Sequence, residues 1–287
     1  MNIGFIGLGN LGMPLAENIF EKHEQLFVYN RTAAKAQPLV EKGAMKCNSI
    51  KELSEKCDVV FTIVSEDAAL NEITNGRDGI AQNLKPGGIH VSMSTILPAT
   101  ATGLAQAHKH QGSHYVAAAV MGRPEAAQAR KLNFLVAGEK AAVETIKPLL
   151  RDAGGAGIWD FGEEPSMANV AKLCSNFLII SAIESMAEGI NLARKSGLDA
   201  AAWMNMVTQT LFAAPVYVNY GNILLAQKFQ PAGFALRLGL KDVNLVVKQS
   251  DNVKAEVPIG KLMQQRLNES VAKGFGDYDW TAVALTL

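Results

Sequence analysis

Three glycines, Gly7, Gly9 and Gly12, sit in the stretch Gly7-Leu8-Gly9-Asn10-Leu11-Gly12, directly after the apolar run Ile3–Ile6 and just before Pro14. Taken alone, the G-x-G-x-x-G spacing is a weak signal, because glycine is common. The setting strengthens it: a strand ends at Ile6, a helix opens near Gly12, and Pro14 suits the first helical turn. In such a turn Gly7 permits the sharp change of direction, Gly9 lets the backbone approach a pyrophosphate, and Gly12 lets helix and strand pack closely. Amides at the helix start, aided by its dipole, hold the anion. The chain reads as opening on a dinucleotide-binding βα unit.

The rest of the first half keeps this rhythm. Gln25–Tyr29, Val59–Val64, Ile89–Met93 and His114–Val120 are short and rich in β-branched or aromatic residues. Met13–Lys22, Thr32–Lys42, Ser49–Cys57, Ala68–Asn75 and Ala99–Gln111 suit helices. This alternation predicts right-handed βαβ units, hence a parallel sheet with helices on both faces. Phe134–Ala137 and Gly157–Phe161 add strands on either side of a helix around Ala141–Arg151. The pattern changes at Gly162-Glu163-Glu164-Pro165. Ala168–Lys195 is long and apolar at helical spacing, and Ala200–Leu211, Tyr217–Ala226, Gly239–Ser250 and Val257–Lys273 follow as helices. The expected architecture is an α/β domain over residues 1–163 and an all-helical domain over residues 164–287, which opens on an unusually long helix.

Charge and cysteine usage exclude several function classes. The 27 Lys and Arg residues cancel the 27 Asp and Glu residues, so the field a nucleic-acid or anionic-membrane binder uses is missing. Cys47, Cys57 and Cys174 fit neither a disulfide framework nor a zinc site, which favours a reducing, cytoplasmic setting. No basic, apolar leader precedes Ile3. His23, His90, His108, His110 and His114 make no metal pattern; His108 and His110, two apart on a helix, face different ways. No metal is expected. The uncharged stretch Ala200–Gln227 carries Asn205, Gln209, Pro215, Asn219 and Asn222, which hydrocarbon tolerates poorly. It reads as helices buried at a domain or subunit interface, and a homodimer or higher homo-oligomer is expected, with no membrane or nucleic-acid partner.

An NAD site usually carries Asp or Glu about twenty residues beyond the glycines, where it holds the ribose 2′-hydroxyl. Here that position is Asn30, followed by Arg31 and Thr32. No carboxylate repels a 2′-phosphate, Arg31 offers it a planar donor fork, Thr32 can cap the next helix or donate to the phosphate, and Lys35 lies one turn on. NADP(H) is the expected cofactor.

With these features in place, the sequence resembles the β-hydroxyacid dehydrogenase family, which includes 3-hydroxyisobutyrate dehydrogenases and glyoxylate/succinic semialdehyde reductases. Ile6-Gly7-Leu8-Gly9-Asn10-Leu11-Gly12-Met13-Pro14 is similar to the family's opening signature, and Asn30-Arg31-Thr32 to its NADP-type variant. Ser92-Met93-Ser94-Thr95-Ile96-Leu97-Pro98 resembles a segment near the nicotinamide, Ala168-Asn169-Val170-Ala171-Lys172-Leu173-Cys174-Ser175-Asn176 the catalytic helix, and Leu240-Lys241-Asp242 a late Lys-Asp pair. The resemblance implies a Rossmann domain joined by a long interdomain helix to a helical domain, with the active site in the cleft. It adds Val64, Ser65, Ser94, Thr95 and Lys241 to the cofactor residues. It also implies substrate contacts at Met121, Gly122 and Arg123, where the family's Ser-Gly-Gly binds a carboxylate. Two departures stand out: Met121 replaces the serine, and Ser175 replaces the first Asn of the family's catalytic pair. Arg123 either supplies another anion contact or pairs with Glu125.

Lys172 and Asn176 are i and i+4, so both project from one helix face. Together they would hold the oxygen of a small aldehyde or keto acid, with Lys172 as general acid, or as base in the oxidative direction. Desolvation would lower the pKa of Lys172 toward the working range. Met121, Met204 and Met206, with Trp203 and Phe212, either line a broad apolar pocket or pack in the core. Two other functions fit the same residues: imine reduction, against which a cationic Lys172 argues, and NADP binding without catalysis.

Overall fold

The computed structural model describes residues 1–287. Its strands are β1 (Ile3–Ile6), β2 (Leu26–Tyr29), β3 (Met45–Lys46), β4 (Val59–Thr62), β5 (Ile89–Ser92), β6 (His114–Met121), β7 (Leu132–Ala137) and β8 (Gly155–Asp160). They form one sheet of eight strands in the order β3-β2-β1-β4-β5-β6-β7-β8. Every neighbouring pair is parallel except β6 and β7, which are antiparallel. The sheet is therefore mixed rather than parallel throughout. The reversal follows from the short connection: β6 and β7 are joined by α7 (Pro124–Gln128), too short for the crossover a parallel pair needs.

The central strands show no exposed face, because helices cover both sides. In β1, Ile3 and Phe5 join one core with Leu26, Val28, Val59 and Phe61, while Ile6 joins another with Phe27, Val60 and Leu53. The two-residue period therefore sorts side chains between two cores. Each fully buried Ile, Leu or Phe contributes about 1.5–3 kcal/mol. Around the sheet run α1 (Gly12–His23), a 3-10 turn (Ala33–Ala36), α2 (Gln37–Glu41), α3 (Ile50–Lys56), α4 (Asp67–Asn75), α5 (Ile80–Asn83), α6 (Pro98–His110), α7 and α8 (Lys140–Asp152). β3, α5 and α7 were not expected; each has five residues or fewer, too few to carry a hydrophobic period.

Beyond the sheet come α9 (Ser166–Lys195), α10 (Ala200–Gln209), α11 (Pro215–Ala226), α12 (Leu236–Val253), α13 (Pro258–Ala272) and a final 3-10 turn (Trp280–Thr286). The chain divides into two compact units, Met1–Lys172 and Leu173–Leu287, so the division falls inside α9. The helical unit packs Ile180, Ile183, Ile190, Met204, Leu224, Leu236 and Met263 around Trp280. Within the chain the uncharged stretch is only partly buried: Met206, Leu211, Phe212 and Val218 are exposed, and Ala200, Met204, Tyr220 and Leu224 carry its packing. The one helix long and apolar enough to cross a membrane is instead α9, with half of its most apolar window buried.

Candidate active site

Parallel register decides where the loops emerge. Ile6 is level with Tyr29 and Thr62, Thr62 with Ser92, and Ser92 with Ala117. The strands therefore release their following loops at one edge of the sheet, the carboxyl edge where open α/β sheets take ligands. Gly7–Leu11, Asn30–Thr32, Val64–Ser65, Ser94–Thr95 and, on the longer β6, Met121–Arg123 all lie there. Sequence positions more than a hundred residues apart thus share one edge.

The three glycines do different work. Gly7 has φ +101°, and a Cβ on it would stand 2.1 Å from the carbonyl oxygen of Ile63. A Cβ on Gly12 would stand 2.0 Å from the carbonyl oxygen of Gly7. Both are glycines because the protein's own backbone leaves no room. At Gly9 a Cβ would meet nothing within 4 Å, so no contact within the chain demands glycine there. At the start of α1, Leu11 makes no side-chain cap and the first turn holds no acid, which leaves N–H donors for an anion. This cradle fits a dinucleotide pyrophosphate.

Asn30 braces this loop. Its Oδ1 accepts from the Leu8 N–H at 2.8 Å, and its Nδ2 donates to the Thr32 carbonyl at 2.8 Å. Arg31, Thr32 and Lys35 are exposed beside it, and Arg31 pairs with no carboxylate. The expected cap is absent: the Thr32 side chain makes no capping bond, and its carbonyl closes the 3-10 turn by accepting from Lys35 N–H at 3.0 Å. Ser94 is buried, and its Oγ accepts from Val64 N–H at 2.9 Å. It ties two loops together, while Ser65 is exposed and Thr95 half-buried. A second tie was not anticipated. Asp67 Oδ1 accepts from Leu97 N–H at 2.9 Å and from Thr100 Oγ1 at 2.6 Å.

Lys172 is 9% exposed, and its Nζ lies 3.4 Å from Sδ of Met121. Arg123 faces Glu125, Nε to Oε2 at 3.8 Å, the pairing that was one of its two readings. Asn169, one turn before Lys172 on α9, is 2% exposed, and its Oδ1 has no hydrogen-bond partner. In the helical unit, Asn176 Nδ2 donates to Asp242 Oδ2 at 2.6 Å, and Lys241 Nζ lies 2.7 Å from Asp242 Oδ1. Sequence patterns assign no role to Asp242 or Asn169; the available signal is an acid or an amide on an otherwise apolar helix face. Met204 is buried and Trp203 packs on Gly189, whereas Met206 and Phe212 are exposed.

Below the loops lies a buried chain that sequence patterns did not reveal. Thr62 Oγ1 bonds His90 Nε2 at 2.8 Å, His90 Nδ1 bonds His108 Nε2 at 2.9 Å, and His108 Nδ1 bonds Ser113 Oγ at 2.8 Å. Burial holds His90 well below the ordinary imidazole range, helped by His108, and holds His108 down to about 4, helped by His114. Both are neutral imidazoles spent on each other.

Residues 2–162 match the family described as NAD binding domain of 6-phosphogluconate dehydrogenase, and residues 167–287 that described as NAD-binding of NADP-dependent 3-hydroxyisobutyrate dehydrogenase. The chain is 40% identical over 283 residues to the oxidoreductase YfjR of Bacillus subtilis (strain 168), covering 99% of this chain and 98% of the relative. It is 30% identical over 283 residues to glyoxylate/succinic semialdehyde reductase 2, chloroplastic, of Arabidopsis thaliana, covering 99% and 78%. Among solved structures, Psf3 in complex with NADP+ and 2-OPP is similar at a TM-score of 0.88 and 25% identity, over 99% of each chain.

Proposed function

Since the chain belongs to the β-hydroxyacid dehydrogenase family of nicotinamide-dependent oxidoreductases, we propose that it is an NADPH-dependent reductase of a small aldehyde or keto acid, with Lys172 as the proton donor. The observation that carries this reading is a buried lysine, Lys172, in contact with a loop at the sheet edge that also bears the glycine cradle. A bound reduced nicotinamide would supply the hydride. Lys172 stabilises the negative charge that gathers on the carbonyl oxygen and then gives it a proton; in the oxidative direction the neutral amine takes that proton back. Asn176 sits one helical turn on, with one amide N–H bound to Asp242 and the second left to orient the oxygen. Lys241, paired with Asp242 in the helical unit, is a further candidate for a cofactor contact.

The choice of NADPH rests on the exposed Arg31, Thr32 and Lys35, and on the amide rather than carboxylate at Asn30. It agrees with the NADP+ held by Psf3. A homodimer or larger homo-oligomer accords with the exposed Met206, Leu211 and Val218, and a cytoplasmic setting with the cysteine usage. The deciding measurement is turnover of Lys172→Met with NADPH and a panel of small aldehydes, keto acids and cyclic imines. Turnover falls at least about a hundredfold, while NADPH affinity stays within about twofold. Undiminished turnover refutes the role, and activity confined to the imines refutes the carbonyl substrate.

A further inference from the structure

Asp67 lies in the first turn of α4, and its carboxylate also reaches the start of α6. Oδ1 accepts from Leu97 N–H at 2.9 Å and from Thr100 Oγ1 at 2.6 Å. Leu97 flanks α6 but makes no side-chain cap, and the first turn of α6 holds no acid of its own. One carboxylate therefore serves the N-termini of two helices, where an acceptor and a negative charge both stabilise.

The stretch that leads into Asp67 is held at three points. Ile63 N–H donates to the Ile6 carbonyl at 3.0 Å, Val64 N–H donates to Ser94 Oγ at 2.9 Å, and Asp67 binds Leu97 and Thr100. Between the last two points Ser65 and Glu66 are exposed. The strand order reverses between β1 and β4, so a dinucleotide lies across the crevice there, with one mononucleotide on each half of the sheet. The glycine turn, Asn30 and Arg31 belong to the half that β1 opens, which takes the adenosine end. The loop over residues 63–67 opens the other half, which takes the nicotinamide end.

We infer that Asp67 is a positioning residue for the nicotinamide half of the cofactor. It acts through the two loops it joins, fixing the one after β4 at a set distance from the one after β5. Ser94 makes the nearer tie and Asp67 the farther one, so without Asp67 the span over Ser65 and Glu66 is anchored at one end only. The inference rests on the nicotinamide cofactor, and neither on Lys172 nor on the substrate.

Two ligands that differ by the nicotinamide ring test it: NADPH and 2′-phospho-ADP-ribose, each titrated calorimetrically. Asp67→Ala is expected to raise the Kd of NADPH about tenfold, the scale of a lost hydrogen bond to a charged group. The Kd of 2′-phospho-ADP-ribose should stay within about twofold, because the half of the site that holds it is untouched. Asp67→Asn keeps an oxygen that accepts both bonds and should bring NADPH back to within about threefold of wild type. Equal losses for the two ligands would make Asp67 a general prop of the fold and overturn the inference, as would an unchanged Kd for NADPH. Should Asp67→Ala not fold, Thr100→Val, which removes one of the two bonds, decides by the same contrast. If the protein prefers NADH, the pair becomes NADH and ADP-ribose, so a wrong cofactor preference is told apart from a wrong role for Asp67. Binding of neither pair by the wild-type protein would overturn the nicotinamide reading and this inference together.

Discussion

Arg31 and Asn30 are neighbours with separate tasks. Asn30 spends both ends of its amide on the backbone, at Leu8 and Thr32. Arg31 is exposed and pairs with no carboxylate, so its guanidinium is available for a phosphate in bidentate geometry. Arg31→Ala is expected to lower kcat/KM for NADPH about ten- to a hundredfold, from the loss of charge-assisted hydrogen bonds. The value for NADH should move by less than about threefold, because NADH has no 2′-phosphate; equal losses for both cofactors would sink the assignment. At this scale the sequence was partly legible. The missing carboxylate at position 30 could be read directly, but the bracing role of its amide could not, because hydrogen-bond partners twenty-two residues away leave no local pattern. Asp242 was hidden for the same reason: its buried bond to Asn176 spans sixty-six residues.

The β1–α1 turn makes a sharper test at the scale of the element, because its glycines meet opposite constraints. Gly12 is closed off by the Gly7 carbonyl, while Gly9 faces open space. Gly12→Ala is expected to cost about 1–3 kcal/mol of stability through overpacking against rigid backbone, read as a shift in denaturation midpoint. Gly9→Ala should leave that midpoint within about 0.5 kcal/mol and weaken NADPH binding in a fluorescence titration. If both substitutions destabilised the fold equally, Gly9 would be a structural glycine and the cradle would lose its support. Strand and helix signals were strong wherever an element was long enough to repeat its period, as in α9 and β6. They failed for α5, α7 and β3, and they gave no hint that β7 turns back against β6, because strand direction depends on the connection rather than on the strand's own residues.

Across the whole molecule, the two units carry separate cores, and the pH response is concentrated in the first. His90 and His108 lie between β4, β5 and α6, fully buried, with the edge of Tyr115 against the His90 ring. Burial lowers the folded pKa of both histidines, whereas an unfolded imidazole titrates near 6.5. The unfolded chain therefore binds protons first as pH falls, so this stabilisation is complete above about pH 6.5 and is lost on acidification toward the folded values. For His108, held down to about 4, the loss amounts to about 3 kcal/mol by pH 4. Urea unfolding at pH 7 and pH 4.5 should show the drop in the wild-type protein. In His108→Gln, whose side chain can hydrogen-bond but does not titrate, the part of the slope owed to His108 should vanish. A pH dependence identical in both proteins would mean that carboxylates elsewhere govern acid stability and that the buried pair is already solvated when the fold opens. A flatter slope in the variant instead fixes the pair as the place where acid enters the sheet, directly under the loops tied by Ser94 and Asp67. In that case NADPH, by binding only the folded state, should shift the acid midpoint of the wild-type protein downward as its concentration rises.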